Sequence, residues 1–273
     1  MRGPVRPTSR SASLRDVPTP RTGELRLDVL GAGPAYTDRP GAAGAAYLLR
    51  TATTSVVLDL GQGAFPRLAG ELEPSGVDAI VVSHLHPDHF IDLVALRHYL
   101  RWQFDPVRRV RVIAPSGLAE RLDALHDEPG FTAASLDVEP IRLGTISIGD
   151  LTLEAARVQH TADSHGFRVA LGDGPGLVYS GDCGRAEDLD PLVRRGDALL
   201  SEVSFGPGPV PNDAEHLDGP SVGRLAARTG AGRVLLTHLQ MGFDREATIA
   251  SVAAVYPGPV DLVDPGDRFA IAT

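Results

Sequence analysis

The stretch Ser83-His84-Leu85-His86-Pro87-Asp88-His89 constrains this chain more than any other part of it. It sets three of the nine histidines and one aspartate within six residues, directly after the apolar run 79–82. A strand that ends in a loop can aim four such side chains at one point, whereas a helix turns successive residues around its axis. Imidazole and carboxylate are good ligands for zinc-like cations. Four groups from one loop cannot enclose two ions, so a fuller site needs ligands from elsewhere. Three candidates each close an apolar run: His160 after 151–159, Asp182 in Ser180-Gly181-Asp182 after 176–179, and His238 after 234–237. Alone, each reads as an ordinary turn or core residue. Their repeated placement at strand ends argues for convergence.

The chain has 273 residues, and its 26 basic side chains, all arginine, face 35 acidic ones, for a net charge of −9. Residues 1–26 hold six of those arginines against Asp16 and Glu24, so the remainder is more acidic still. This excludes a globally basic nucleic-acid coat. Residues 1–24 are rich in Pro, Ser, Thr and Arg and poor in large apolar side chains. They are expected to form a flexible tail ahead of one domain over 25–273. The single cysteine, Cys183, excludes an internal disulfide framework and fits a reducing cytoplasm. No apolar run approaches the roughly 20 residues of a membrane helix. No apolar stretch of the secretory kind follows the first arginines. A cytoplasmic protein is expected.

Strands are read at 25–30, 46–50, 55–60, 79–82 and 110–113, with helices at 64–71, 90–102 and 116–125. In the second half, 145–148 and 151–158 flank Gly149-Asp150 as a hairpin. Strands follow at 167–171, 176–179, 198–201, 234–237, 261–263 and 269–271, with helices at 189–195, 221–227 and 245–255. Strands cluster at the start of each half, which predicts two sheets packed face to face with helices outside.

At this point the sequence resembles the metallo-β-lactamase superfamily. The His-x-His-x-Asp-His pattern of His84–His89, then His160, Asp182 and His238, follow that family's order, and Asp59-Leu60-Gly61 is similar to its Asp-x-Gly turn. The resemblance spans about 25–273 and implies a four-layer αββα sandwich with a dinuclear metal site at one edge. It further implies that His84, His86 and His160 hold one metal, that Asp88, His89 and His238 hold the other, and that Asp182 bridges them. Asp59 would stand behind a ligand, orienting a histidine or the bridging water. Cys183 stands where the family more often has threonine and is read as a small packing residue. The expected cofactors are two divalent ions, zinc first and manganese second. A hydroxide held between them would be nucleophilic near neutral pH.

That chemistry suits phosphodiesters, lactones, thioesters and β-lactams alike. The continuation Phe90-Ile91-Asp92-Leu93 is similar to the ribonuclease Z and phosphodiesterase branch, although that branch usually has glycine at Asp92. In that branch a histidine near the position of His216 acts on the phosphate. Asp88, His216 and Glu202 are therefore the candidate catalytic residues, with Glu202 pairing His216. Only 22 positions separate His160 from Asp182, which leaves no room for the tRNA-gripping arm common in ribonuclease Z. The chain thus looks closer to arm-less cyclic-nucleotide phosphodiesterases. The expected partner is a small phosphodiester. Precursor tRNA is the alternative and a lactone or thioester a third; relatives are commonly homodimers, but no decisive apolar stripe marks a dimer face in this sequence. Arg97, Arg101, Arg108, Arg109 and Arg111 face only Asp105 in their stretch. They read as a solvated face or as a phosphate anchor at the site mouth.

Overall fold

The computed structural model describes residues 19–272. Most of the expected tail, residues 1–18, lies outside them. One seven-stranded sheet runs β14-β1-β2-β3-β4-β5-β6. Its strands are β1 (Leu25–Gly31), β2 (Ala46–Arg50), β3 (Ser55–Leu58), β4 (Ala79–Val81), β5 (Val110–Ala114), β6 (Leu136–Pro140) and the last strand of the chain, β14 (Arg268–Ala272). The second sheet runs β13-β12-β11-β10-β9-β8-β7. It comprises β7 (Gly144–Ile148), β8 (Leu151–Arg157), β9 (His165–Leu171), β10 (Leu177–Tyr179), β11 (Ala198–Glu202), β12 (Arg233–Thr237) and β13 (Val260–Leu262).

Alternation along the strands builds the layers. In β2, Tyr47 and Leu49 enter the core between the sheets, while Ala46 and Leu48 face outward. Val56 and Leu58 against Val57 repeat this in β3. Because both faces are covered, these strands read as continuous apolar runs. The outer face of the first sheet takes α1 (Phe65–Glu71), α2 (Pro87–Phe90), α3 (Leu93–Gln103) and α4 (Leu118–His126), through Leu68, Phe90, Leu96 and Leu122. That of the second takes α5 (Gly219–Thr229) and α6 (Arg245–Ala253), through Val222, Leu225 and Val252. The result is the four-layer αββα sandwich.

Strand direction then positions the site. β3, β4 and β5 run parallel, as do β10, β11 and β12. β8 is antiparallel to β9, which is antiparallel to β10, so β8 points the same way as β10. The carboxyl ends of β3, β4, β8, β10, β11 and β12 therefore deliver Asp59, the 83–89 loop, His160, Asp182, Glu202 and His238 to one edge.

Three expectations change. The helix over 90–102 is two helices, broken at Ile91 and Asp92. Asp92 Oδ2 accepts from the Phe65 amide at 2.7 Å, so this carboxylate serves the start of α1. The helix over 189–195 is a short 3₁₀ turn, Ala186–Leu189, followed by turns. There the Arg194 amide turns to the Asp197 carboxylate at 2.9 Å, and Pro191 supplies no amide hydrogen. The strand β6 is additional.

Candidate active site

The 83–89 loop is held from beneath. The Leu60 amide donates to the His89 carbonyl at 2.7 Å. A Cβ on Gly61 would overlap the Asp88 carbonyl oxygen, so this Asp-x-Gly turn needs its glycine. Asp59 and His238 adopt left-handed backbone, each with φ of 57°. That conformation is costly outside glycine and concentrates at functional sites. Here it turns each residue off its strand end.

Asp59 is fully buried and satisfies four donors. Its Oδ1 accepts from the Ser83 amide at 2.6 Å, and its Oδ2 from Ser83 Oγ, His89 Nδ1 and Tyr179 Oη at 2.7 Å each. With Nδ1 engaged, His89 presents Nε2 to the edge. His160 does the same, its Nδ1 donating to the Glu215 carbonyl at 2.8 Å. His238 Nδ1 lies 3.1 Å from Ser204 Oγ.

The free imidazole nitrogens and carboxylate oxygens gather into two clusters, His84, His86, His160, Asp182 and Asp88, His89, His238. In the first, His86 Nδ1 lies 3.0 Å from His84 Nε2 and 3.1 Å from His160 Nε2. Asp182 Oδ2 is 3.6 Å from His160 Nε2 and 3.9 Å from His84 Nε2. In the second, Asp88 Oδ2 lies 3.2 Å from His238 Nε2 and 3.6 Å from His89 Nε2. Asp182 Oδ1 is 3.3 Å from His89 Nε2 and 3.6 Å from His238 Nε2. One oxygen of Asp182 thus faces each cluster.

These spacings fit divalent ions. Ligands at about 2.0–2.1 Å from a tetrahedral zinc stand roughly 3.3 Å apart. His89 Nε2 and Asp182 Oδ1 are buried without a hydrogen-bond partner, which few buried polar atoms tolerate. Both become satisfied if a cation sits between the groups. The charge pattern agrees. Burial opposes the Asp182 carboxylate, yet His238 and His89 hold it well below the usual carboxylate range. Burial and the His89 charge push His84 down, whereas Asp182 and Asp59 overcome burial to hold His89 well above the ordinary histidine value.

Glu202 and His216 form a third group with Asp182. Glu202 is buried and accepts from the Cys183 amide at 2.9 Å and the Ser204 amide at 3.0 Å. Its Oε1 lies 2.9 Å from His216 Nδ1. Burial pulls His216 down, but the Glu202 hydrogen bond and charge, aided by Asp182, bring it up to about 9. Three residues given no role in the sequence reading organise this region. Ser204 Oγ contacts Glu202 Oε2 at 2.5 Å, His238 Nδ1 at 3.1 Å and His216 Nδ1 at 3.2 Å. Tyr179 anchors Asp59, and beside it Tyr47 Oη meets Thr237 Oγ1 at 2.6 Å, tying the sheets together below the site. None carries a motif: Ser204 lies in the turn after β11, and only polar tips inside apolar strands set Tyr47 and Tyr179 apart.

The arginine run does not reach the site. Arg97 is fully buried, donating to the Leu122 carbonyl at 2.7 Å and Thr132 Oγ1 at 3.0 Å. Arg109 pairs with Asp137, Arg111 with Glu139, and Arg108 donates to Ser75. Arg101 lies over Trp102. The phosphate-anchor expectation is corrected for Arg97, which is buried, and for Arg109 and Arg111, which acids of neighbouring β6 neutralise although they look unpaired along the chain. Cys183 is buried with its thiol 3.2 Å from the Arg185 carbonyl, and burial pushes its pKa up.

Comparison with known proteins agrees with this geometry. Residues 55–239 match the Beta-lactamase superfamily domain. The chain is 32% identical over 259 residues to the uncharacterized protein ML1173 of Mycobacterium leprae, covering 90% of this chain and 89% of that one. It is 28% identical over 271 residues to a ribonuclease Z of Mycolicibacterium paratuberculosis, covering 88% and 96% respectively. The crystal structure of the metallo-beta-lactamase fold protein YhfI from Bacillus subtilis superposes with a TM-score of 0.80 at 21% identity, over 91% of this chain and 100% of that one. The chain belongs to the metallo-β-lactamase superfamily and is related to its ribonuclease Z branch. With ordered metal-ligating clusters on that fold, it is a metal-dependent hydrolase. No helix among the described residues is long and apolar enough to cross a membrane.

Proposed function

We propose that this enzyme is a dinuclear metal phosphodiesterase acting on a small anionic phosphodiester, a cyclic nucleotide. The Glu202–His216 pair, seated against Asp182, carries this reading. A hydrolase needing only an activated water would be complete with the two clusters. His216 adds a hydrogen-bond and proton donor beside them, as departure of an alkoxide requires.

His84, His86, His160 and Asp182 Oδ2 would hold one ion, and Asp88, His89, His238 and Asp182 Oδ1 the other, with zinc the first candidate and manganese the second. Such ions supply acidified water and positive charge at phosphoryl oxygens. Glu202 holds His216 through Nδ1, which leaves Nε2 for a phosphoryl oxygen or the leaving oxygen. Asp59 keeps the His89 proton on Nδ1, so Nε2 stays free as a ligand.

A tRNA 3′-end endonuclease is the second reading, favoured by the ribonuclease Z relative. Against it, β9, the turn 172–176 and β10 fill most of the interval between His160 and Asp182, leaving no inserted arm. The test is turnover of bis(p-nitrophenyl) phosphate, cAMP and 2′,3′-cyclic nucleotides by protein with verified metal content. Hydrolysis of a cyclic nucleotide is expected. Activity confined to precursor tRNA, or to a lactone or thioester panel, would replace the proposal.

A further inference from the structure

His216 belongs both to the cluster at Asp182 and to the wall of a cavity of about 320 Å³. Ala186, Pro209, Val210 and Leu217 give that cavity apolar walls, and Arg224 lines it from α5. Arg224 is exposed, and its guanidinium donates only to Ser221 Oγ at 3.0 Å, within its own helix. It makes no ion pair among the described residues. Its neighbours are already engaged: Arg185 pairs with Asp188 at 2.6 Å, and Asp218 accepts from the Ser221 amide at 2.9 Å to cap α5. Glu187 also lines the cavity and accepts no side-chain hydrogen bond among the described residues. The walls thus offer one guanidinium and one carboxylate without an ion pair among the described residues, beside apolar side chains. That is a donor and an acceptor with little net charge. It suits the mixed polar edge of a neutral heterocycle better than a second phosphate, and a guanidinium also stacks on flat rings.

We infer that this cavity is the nucleoside subsite: it takes the sugar and base of the substrate, with Arg224 as the residue that holds the base. The inference rests on the phosphodiesterase reading, which places the scissile phosphate between the metal clusters and His216. One ester substituent of that phosphate must then extend past His216. The volume lies at the low end of ligand sites, which suits one nucleoside.

The experiment is calorimetric titration of AMP into metal-loaded protein, alongside steady-state kinetics with a cyclic nucleotide. R224A is expected to weaken AMP about tenfold, as expected for one charged hydrogen bond. In kinetics the loss should fall on KM rather than kcat. V210W, which fills the cavity from a half-buried loop position, should weaken AMP at least as much, with the fold verified by circular dichroism. If cyclic nucleotides are hydrolysed and both variants stay within about twofold of wild type in AMP affinity and KM, the subsite is overturned and the phosphodiesterase reading stands. If no phosphodiester is turned over but AMP binds and R224A weakens it, the phosphodiesterase reading falls and the nucleoside pocket stands.

Discussion

Replacing Asp59 by asparagine isolates the support beneath the second cluster. Asparagine accepts left-handed backbone about as readily as aspartate, so the φ of 57° adds no new strain. The hydrogen-bond pattern cannot be kept. Oδ1 faces the Ser83 amide, and Oδ2 faces Ser83 Oγ, His89 Nδ1 and Tyr179 Oη. An amide group placed at Oδ1 meets a backbone N–H that cannot turn away. Placed at Oδ2, it lets the hydroxyls rotate but forces His89 Nδ1 to accept, moving the imidazole proton to Nε2. Each hydrogen bond to a charged acceptor is worth about 1.5–3 kcal/mol. D59N should therefore lose about 3 kcal/mol of stability in urea unfolding of the metal-free protein. Its second metal should bind about 10–100-fold more weakly, the usual cost of disturbing such support. Competition with a chromogenic chelator reads that affinity. A D59N protein that binds two zinc ions with wild-type affinity would refute the tautomer argument.

H216A should lower phosphodiester kcat about 10²–10⁴-fold, the range for a lost general acid, with both metals retained by elemental analysis. Parallel loss of metal would make His216 a structural residue. Metal binding at the second cluster should release protons. Burial opposes protonation of His89 and His238, but Asp182 leads the neighbouring groups that hold both pKa values above the ordinary histidine value, which favours their protonated forms before metal binds. Affinity there should rise with pH as those protons leave, while the first cluster, where His84 and His86 are pushed down, should respond less. Calorimetry in buffers of differing ionisation enthalpy measures this, and a pH-independent second site would contradict it. R97A should cost about 3 kcal/mol in urea unfolding, from two buried hydrogen bonds and the lost contact with the Phe131 ring. A raised substrate KM with full stability would instead restore the phosphate-anchor reading.

The 83–89 loop was legible because its donors are consecutive, and His160, Asp182 and His238 because each closes an apolar run. Layering was legible because both-faced burial leaves continuous apolar strands in β2, β3 and β4. What escaped depends on partners distant along the chain. Tyr47 and Thr237 are 190 residues apart. Ser204 is an ordinary hydroxyl until Glu202, His216 and His238 converge on it. The break before α3 arises because Asp92 serves the start of α1, a tertiary contact that periodicity does not carry. β6 was missed because Asp137, Glu139 and Pro140 weaken its strand pattern, as an edge position allows. The same acids lie beside Arg109 and Arg111 through the β5–β6 pairing, which is why a charge run counted along the chain misjudged the site mouth.

The most direct test of the central claim is to titrate zinc into the metal-free protein while recording bound metal per chain and cyclic-nucleotide hydrolysis together. Two ions per chain are expected, with turnover appearing as the second cluster fills and absent in D182A. Full activity at one ion per chain, or two bound ions without any phosphodiester turnover, would contradict a dinuclear phosphodiesterase.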